Sequence, residues 1–166
     1  MYYSGIKWYD VNDGPGVRVG LYVSGCSNHC KGCFQSKTWN PKNGEEFDRK
    51  IQLKIFDQMK NDFITGITVL GGDPFYPSNV IPVTKFLKEV QERFPNKSIW
   101  AYTGYYYENL MKLEDSKNLI SLLDVLVDGP FVLDKKDIRL KFKGSSNQRI
   151  IDIKKSTVDN IALYKL

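Results

Sequence analysis

Apolar and polar positions alternate from Val17 to Val23, and the residues are β-rich, which predicts a strand. Over residues 43–60 the period changes to four. Phe47, Ile51, Ile55 and Met59 recur on one face and Phe56 widens the stripe, predicting a helix that starts at Asn43 with Glu46 three residues on. Residues 67–70 form a short apolar run closed by Gly71-Gly72, read as a second strand. Residues 78–93 read as a helix capped by Ser78. Val83, Phe86, Leu87 and Val90 point inward, and Pro82 is tolerated only near the first turn. Ser98–Tyr102 is a third strand, followed by short helices over 106–113 and 116–122 and a strand over 124–127. Residues 131–143 are polar and irregular, and 148–153 are the last strand. Strand and helix in alternation imply right-handed crossovers and a mostly parallel sheet. Five or so such units are too few for a closed eight-stranded barrel of about 250 residues. The expected fold is therefore α/β, a single-domain open partial (βα) barrel with a curved sheet over residues 1–166.

Composition narrows the setting. A chain of 166 residues, 42% of them apolar, is long enough for one domain with a real core. No apolar run approaches the roughly 18–20 residues of a membrane span. The start, Met1-Tyr2-Tyr3-Ser4-Gly5, lacks the basic-then-apolar pattern of a secretory signal. A cytoplasmic location is expected, where reduced cysteines bind metals or act in catalysis more often than they pair. The net charge of +5 is spread over dispersed lysines with no basic helix face, which argues against nucleic acid as the partner. A solvated surface, an acidic protein partner or an anionic cofactor accounts for it better.

The candidate chemistry is concentrated in Cys26-Ser27-Asn28-His29-Cys30-Lys31-Gly32-Cys33, a C-x3-C-x2-C run holding all three cysteines. Structural zinc takes four closed ligands, and a cubane cluster is usually held by four cysteines. Three cysteines leave one metal position open, where a substrate or cofactor can bind. The other readings are clustered structural cysteines, zinc completed by His29 or a distant carboxylate, and a disulfide with a free thiol. The odd count and the missing secretory signal weigh against the last.

The spacing resembles the signature of the radical S-adenosylmethionine enzymes. The run from Cys26 to Trp39, with Gly32-Cys33-Phe34-Gln35 and Lys37-Thr38-Trp39, is similar to one branch, the activating enzymes of anaerobic (class III) ribonucleotide reductase. The resemblance implies a 4Fe-4S cluster on Cys26, Cys30 and Cys33. Its fourth iron would chelate the amino and carboxylate groups of S-adenosylmethionine. It further implies reductive cleavage of that cofactor and use of the 5′-deoxyadenosyl radical to form a glycyl radical on the reductase. The implied partners are the large subunit of anaerobic ribonucleoside-triphosphate reductase and a one-electron donor such as flavodoxin, with no nucleic acid and no membrane. Many members carry an aromatic before the third cysteine; Gly32 stands there, with Phe34 just after.

The remaining motifs fall at expected strand ends, where parallel βα folds place their sites. Gly71-Gly72-Asp73-Pro74 reads as a plain turn or as a close backbone approach to a ligand. It resembles the family's GGE motif, with Asp73 where many members have Glu, which implies backbone contact with the cofactor's amino group. Exposed C=O would hold an ammonium and N–H a carboxylate. Thr103 and Asp128, at two further strand ends, are implied cofactor-pocket residues; as bare sequence, Asp128-Gly129-Pro130 is a turn. Asp13-Gly14-Pro15-Gly16-Val17-Arg18 is a tight turn that resembles the DGPGxR motif of glycyl-radical activases. This implies that Asp13, Gly14 and Gly16 meet the substrate protein; Arg18 is read as a strand residue paired with a nearby carboxylate. Residues 144–149 resemble a GSSNQR segment of the same branch and read either as a surface turn or as cofactor or partner contact. Tyr102, Tyr105, Tyr106 and Tyr107 read as packing. Two alternatives stay open: a small-molecule radical S-adenosylmethionine enzyme of the deazaguanine synthase type, and a non-catalytic zinc or iron-sulfur binding module.

Overall fold

The computed structural model describes residues 1–166. Seven strands form one open mixed sheet in the order β3-β1-β2-β4-β5-β6-β7. They are β1 Tyr2–Asp10, β2 Val17–Val23, β3 Glu45–Glu46, β4 Ile64–Gly71, β5 Ser98–Tyr102, β6 Val125–Asp128 and β7 Arg149–Asp152. Strands β2, β4, β5 and β6 are parallel neighbours. The β1–β2, β1–β3 and β6–β7 pairs are antiparallel. The sheet is thus a parallel centre with antiparallel flanks, rather than mostly parallel throughout, and it does not close. Strand β7 reverses because an irregular loop joins it to β6; a parallel return needs a crossover, usually a helix.

The pleat divides the sheet residues between two faces. Val19, Leu21, Val23, Ile67, Val69, Ile99, Ala101 and Leu126 enter one core. There they meet α1 (Arg49–Met59), α2 (Val80–Arg93), α3 (Tyr107–Leu110) and α4 (Glu114–Ile120). Phe86 of α2 packs between Phe47 and Phe56, with ring centroids 5.1 and 5.4 Å away. The intervening positions, Arg18, Gly20, Tyr22, Thr68, Leu70, Trp100 and Tyr102, face the other way. A small cluster there joins Trp100, Val125, Val127 and Ile150 with Phe142 and Tyr164. None of the helices is long and apolar enough to cross a membrane.

Strand β1 was hidden because Gly5 and two register irregularities break its alternation. Helix α1 begins at Arg49, not Asn43. Asp48 is the cap, accepting from the Ile51 N–H at 2.9 Å, while Glu45–Glu46 pair with Tyr2 and Tyr3 as an extended segment. Phe47 keeps its place in the core from extended backbone, so the four-residue recurrence overran the helix by one turn. Helix α2 starts after Asn79 rather than Ser78, and Asn79 does not cap it. Pro82 falls in its first turn, as expected.

Candidate functional site

The C-terminal ends of β2, β4, β5 and β6 open onto a cavity of about 420 Å³ on the sheet face opposite the helices. All three cysteines line it as free, half-buried thiols. The loop carrying them is fastened at its base. Gly25 N–H donates to the Thr38 carbonyl at 2.7 Å and Ser24 Oγ to the Asn43 carbonyl at 2.7 Å. Gly25 has φ +106°, and a side chain there would drive a Cβ to 2.6 Å from the Tyr76 ring. His29 stacks on Trp39, centroids 4.5 Å apart, and is not part of the cavity wall. Burial pushes the Cys26 thiol up, opposed by N–H groups of Asn28 and His29 directed at it. No three His, Cys, Asp or Glu side chains stand at the spacing of one coordination sphere. The donor set nonetheless fits an iron-sulfur cluster: three unpaired thiols on one eight-residue loop, all facing one cavity.

The Gly71-Gly72 turn stands beside this loop. Gly71 has φ +102°, and a Cβ on Gly72 would lie 2.6 Å from the Gly25 carbonyl oxygen. Gly72 N–H donates to Val23 O at 2.7 Å and Asp73 N–H to Gly25 O at 2.8 Å. These N–H groups are engaged within the chain and are not free to hold a carboxylate, contrary to the reading from sequence. The Gly72 carbonyl accepts no bond within the chain. The Asp73 side chain turns inward and is fully buried. It accepts from Phe75 N–H at 2.9 Å, Gly104 N–H at 3.0 Å, Thr103 Oγ1 at 3.0 Å and Asn28 Nδ2 at 3.1 Å. Burial raises its pKa to about 6 against these donors. Thr103 lines the cavity while its hydroxyl serves this knot.

Asp128 is fully buried and does not line the cavity. It pairs with Arg149 and accepts from Tyr107 N–H at 2.8 Å. Arg149 also forks onto Glu108 through two 2.8 Å bonds. The 144–149 segment is folded onto the end of β6. Gln148 Oε1 accepts from Gly144 and Ser145 N–H, and Asn147 Nδ2 donates to Pro130 O at 2.8 Å. Gly144 and Gln148 reach the cavity wall. Tyr105 and Tyr107 pack with the core, and Tyr106 lies under Arg149.

The turn before β2 folds back over the open sheet face and forms the cavity floor. Asp13 lines it, accepting from the Tyr22 hydroxyl at 2.9 Å, with Lys7 Nζ 3.8 Å away. Burial, then the hydrogen bond and charge of Asp10, raise Asp13 to about 6. Gly14 has φ +141° and sits against the Arg18 side chain; Gly16 has φ +75° and sits against Thr65. Arg18 is fully buried with no carboxylate partner, which corrects the expected ion pair. It donates to Thr68 Oγ1, Ser98 Oγ and the carbonyls of Pro15, Ile67 and Ser98. Thr68 in turn donates to the Asp13 carbonyl at 2.8 Å, so Arg18 and Thr68 hold the floor in place.

Sequence reasoning did not single out Asn28, Tyr22 or Asn79 for the site. Asn79 Nδ2 ties Ser24 O at 2.8 Å to Asp73 O at 3.0 Å, joining the bases of two site loops. Only the strand register reveals such links. Tyr22 was detectable as an outward position of its strand.

Residues 12–151 match the model of the 4Fe-4S single cluster domain family. The chain is 37% identical over 150 residues to the anaerobic ribonucleoside-triphosphate reductase-activating protein of Enterobacteria phage T4, covering 90% of this chain and 93% of the relative. It is 40% identical over 144 residues to the protein of that name from Vibrio cholerae, covering 85% and 91%. The figure is 38% over 141 residues for the Escherichia coli K12 protein of the same name, covering 84% and 90%. The chain belongs to this family of 4Fe-4S-domain activating proteins.

Proposed function

We propose that this protein activates anaerobic ribonucleoside-triphosphate reductase by radical S-adenosylmethionine chemistry. The observation that carries the reading is the meeting of Cys26, Cys30 and Cys33 with the Gly71-Gly72 turn at one cavity. When bound, a 4Fe-4S cluster and S-adenosylmethionine supply the reductive cleavage that lets a hydrogen atom be taken from a glycine of the reductase. Cys26, Cys30 and Cys33 hold the cluster. The Gly72 carbonyl accepts the cofactor's ammonium group, a reading supported by its lack of a partner within the chain. Gly71 and Gly72, lacking side chains, let the turn pack on Tyr22 and on the Gly25 carbonyl, which brings it against the cysteine loop. Asp73 and Thr103 act from behind: their hydrogen bonds fix the turn against the cysteine loop. Asp128, through Arg149 and Tyr107, fixes the end of β6, whose Gly129 lines the cavity.

Asp13 meets the glycine-bearing segment at the cavity, on a turn shaped by Gly14, which packs on Arg18, and Gly16, which packs on Thr65. The segment completes the wall and excludes water from the radical. The electron comes from a one-electron carrier protein such as flavodoxin, in the cytoplasm. The test is anaerobic reconstitution with iron and sulfide, then electron paramagnetic resonance of the reduced protein with and without S-adenosylmethionine. The expected result is a cluster signal that changes on adding the cofactor and is lost in Cys30→Ser, and a glycyl radical when the reductase is present. A cluster indifferent to S-adenosylmethionine overturns the reading.

A further inference from the structure

Among the three cysteines, only Cys26 receives a side-chain hydrogen bond. Asn28 Nδ2 lies 3.7 Å from Cys26 Sγ and 3.1 Å from Asp73 Oδ2. A primary amide nitrogen carries two hydrogens, enough to serve both acceptors. The direction of the amide is set by chemistry. An ionised carboxylate only accepts, and Asp73 already gathers Phe75 N–H, Gly104 N–H and the Thr103 hydroxyl. The face of Asn28 turned toward Asp73 and Cys26 is therefore the donor face. The amide is also confined. A Cβ on Gly104 would fall 2.4 Å from Nδ2, so the side chain lies flat on a residue that has none. Asp73 is fully buried and tied to two strand ends, so the aim of Asn28 is rigid.

We propose that Asn28 is a positioning and tuning residue for the metal centre. Its amide, aimed by Asp73, donates to the Cys26 sulfur and raises the reduction potential of the cluster held there. The inference rests on the cluster assignment proposed above. Reduction adds one electron, and so one negative charge, to the cluster. An N–H dipole pointing at a ligand sulfur stabilises that charge, and hydrogen bonds to sulfur are among the determinants of iron-sulfur potentials. Asn28 also stands between the sulfur and the buried Asp73 carboxylate, whose charge opposes reduction at short range. Removing the amide therefore acts in one direction through both effects.

The experiment compares reconstituted wild type with Asn28→Ala in a redox titration followed by electron paramagnetic resonance, without S-adenosylmethionine. The expected variant binds the same iron per chain and has a more negative midpoint. At a fixed potential its reduced-to-oxidised ratio falls on the order of tenfold, about 59 mV for a one-electron couple. The second measurement uses wild-type protein grown with asparagine carrying ¹⁵N in the side-chain amide. Electron-nuclear double resonance of the reduced cluster is expected to show a weak ¹⁵N coupling. An unchanged midpoint in a loaded variant, or no ¹⁵N coupling in wild type, overturns the role of Asn28. If Asn28→Ala fails to load, the labelled wild type decides. Wild type that binds no cluster at all overturns the parent reading as well, so the two failures are distinct.

Discussion

The Arg18 guanidinium lies over the indole of Trp100, 5.4 Å from the ring centroid, and every hydrogen bond it makes ends on a neutral oxygen. A buried cation without an acid is costly to desolvate, and burial lowers its pKa to about 10. The cation–π contact and five acceptors offset that cost. Truncation would strand the Ile67 and Ser98 carbonyls and release the floor turn. Arg18→Ala is expected to destabilise by about 3 kcal/mol or more, read as a lower urea midpoint. Arg18→Lys recovers only part of this, because an ammonium cannot fork across the same acceptors.

Gly72 separates two sources of damage. A Cβ there collides with the Gly25 carbonyl, whereas nothing lies within 4 Å of one built on Gly5. Gly72→Ala is expected to cost about 1–3 kcal/mol and to lower iron and sulfide content after reconstitution, because it pries the turn from the cysteine loop. Gly5→Ala serves as the control and should change neither beyond about 0.5 kcal/mol in stability.

The Asp10–Asp13 pair gives a pH dependence with a defined sign. The folded pKa of Asp13, about 6, is above its ordinary 3.8. Its contribution is thus fully present below pH 3.8 and declines as pH rises through 6. Burial opposes ionisation of Asp10 too, but its hydrogen bonds to Asp13 and Asn12 and the charge of Lys7 hold it below the usual range. Asp13→Asn removes the decline. The stability of wild type relative to this variant should be greatest near pH 4 and shrink by pH 7 in urea titrations. A constant difference across that range would contradict the assignment.

Arg149 carries the opposite pH limb. Its hydrogen bonds hold Glu108 down to about 2, well below the ordinary 4.5. That stabilisation is present above pH 4.5 and is lost as pH falls toward 2. Because Glu108 is substantially exposed, solvent screening keeps the effect small. Asp128 is fully buried, so Arg149→Leu leaves a carboxylate facing only the Tyr107 N–H. The expected loss is about 3–5 kcal/mol, with loosening of β7 seen as faster amide exchange at Ile150 and Ile151.

Much of this architecture was legible from local pattern. The limits of β2 and β5 match the sequence reading residue for residue, β4 contains the apolar run 67–70, and β6 is displaced by one residue from 124–127. Once four βα-type ends were recognised, the cysteine loop, Gly71-Gly72 and Thr103 could be assigned to one end of the sheet. The start of α1 was misplaced because Phe47 contributes to the core from extended backbone, and a side-chain period does not report backbone conformation.

The sequence by itself determined that three thiols stand at fixed spacing on one loop, and where the parallel strands fall along the chain. Both are written within short windows of chain. The tertiary structure alone decided which partners meet. Asn28 reaches Asp73 across 45 positions and Arg18 reaches Ser98 across 80. The turn before β2 becomes a cavity floor only because β1 runs antiparallel beside it. Such contacts depend on strand register and on which face each residue takes, and one step of register exchanges every inward and outward side chain. A linear pattern carries the period of each strand but not its alignment with the next, and the geometry of this site is set by that alignment.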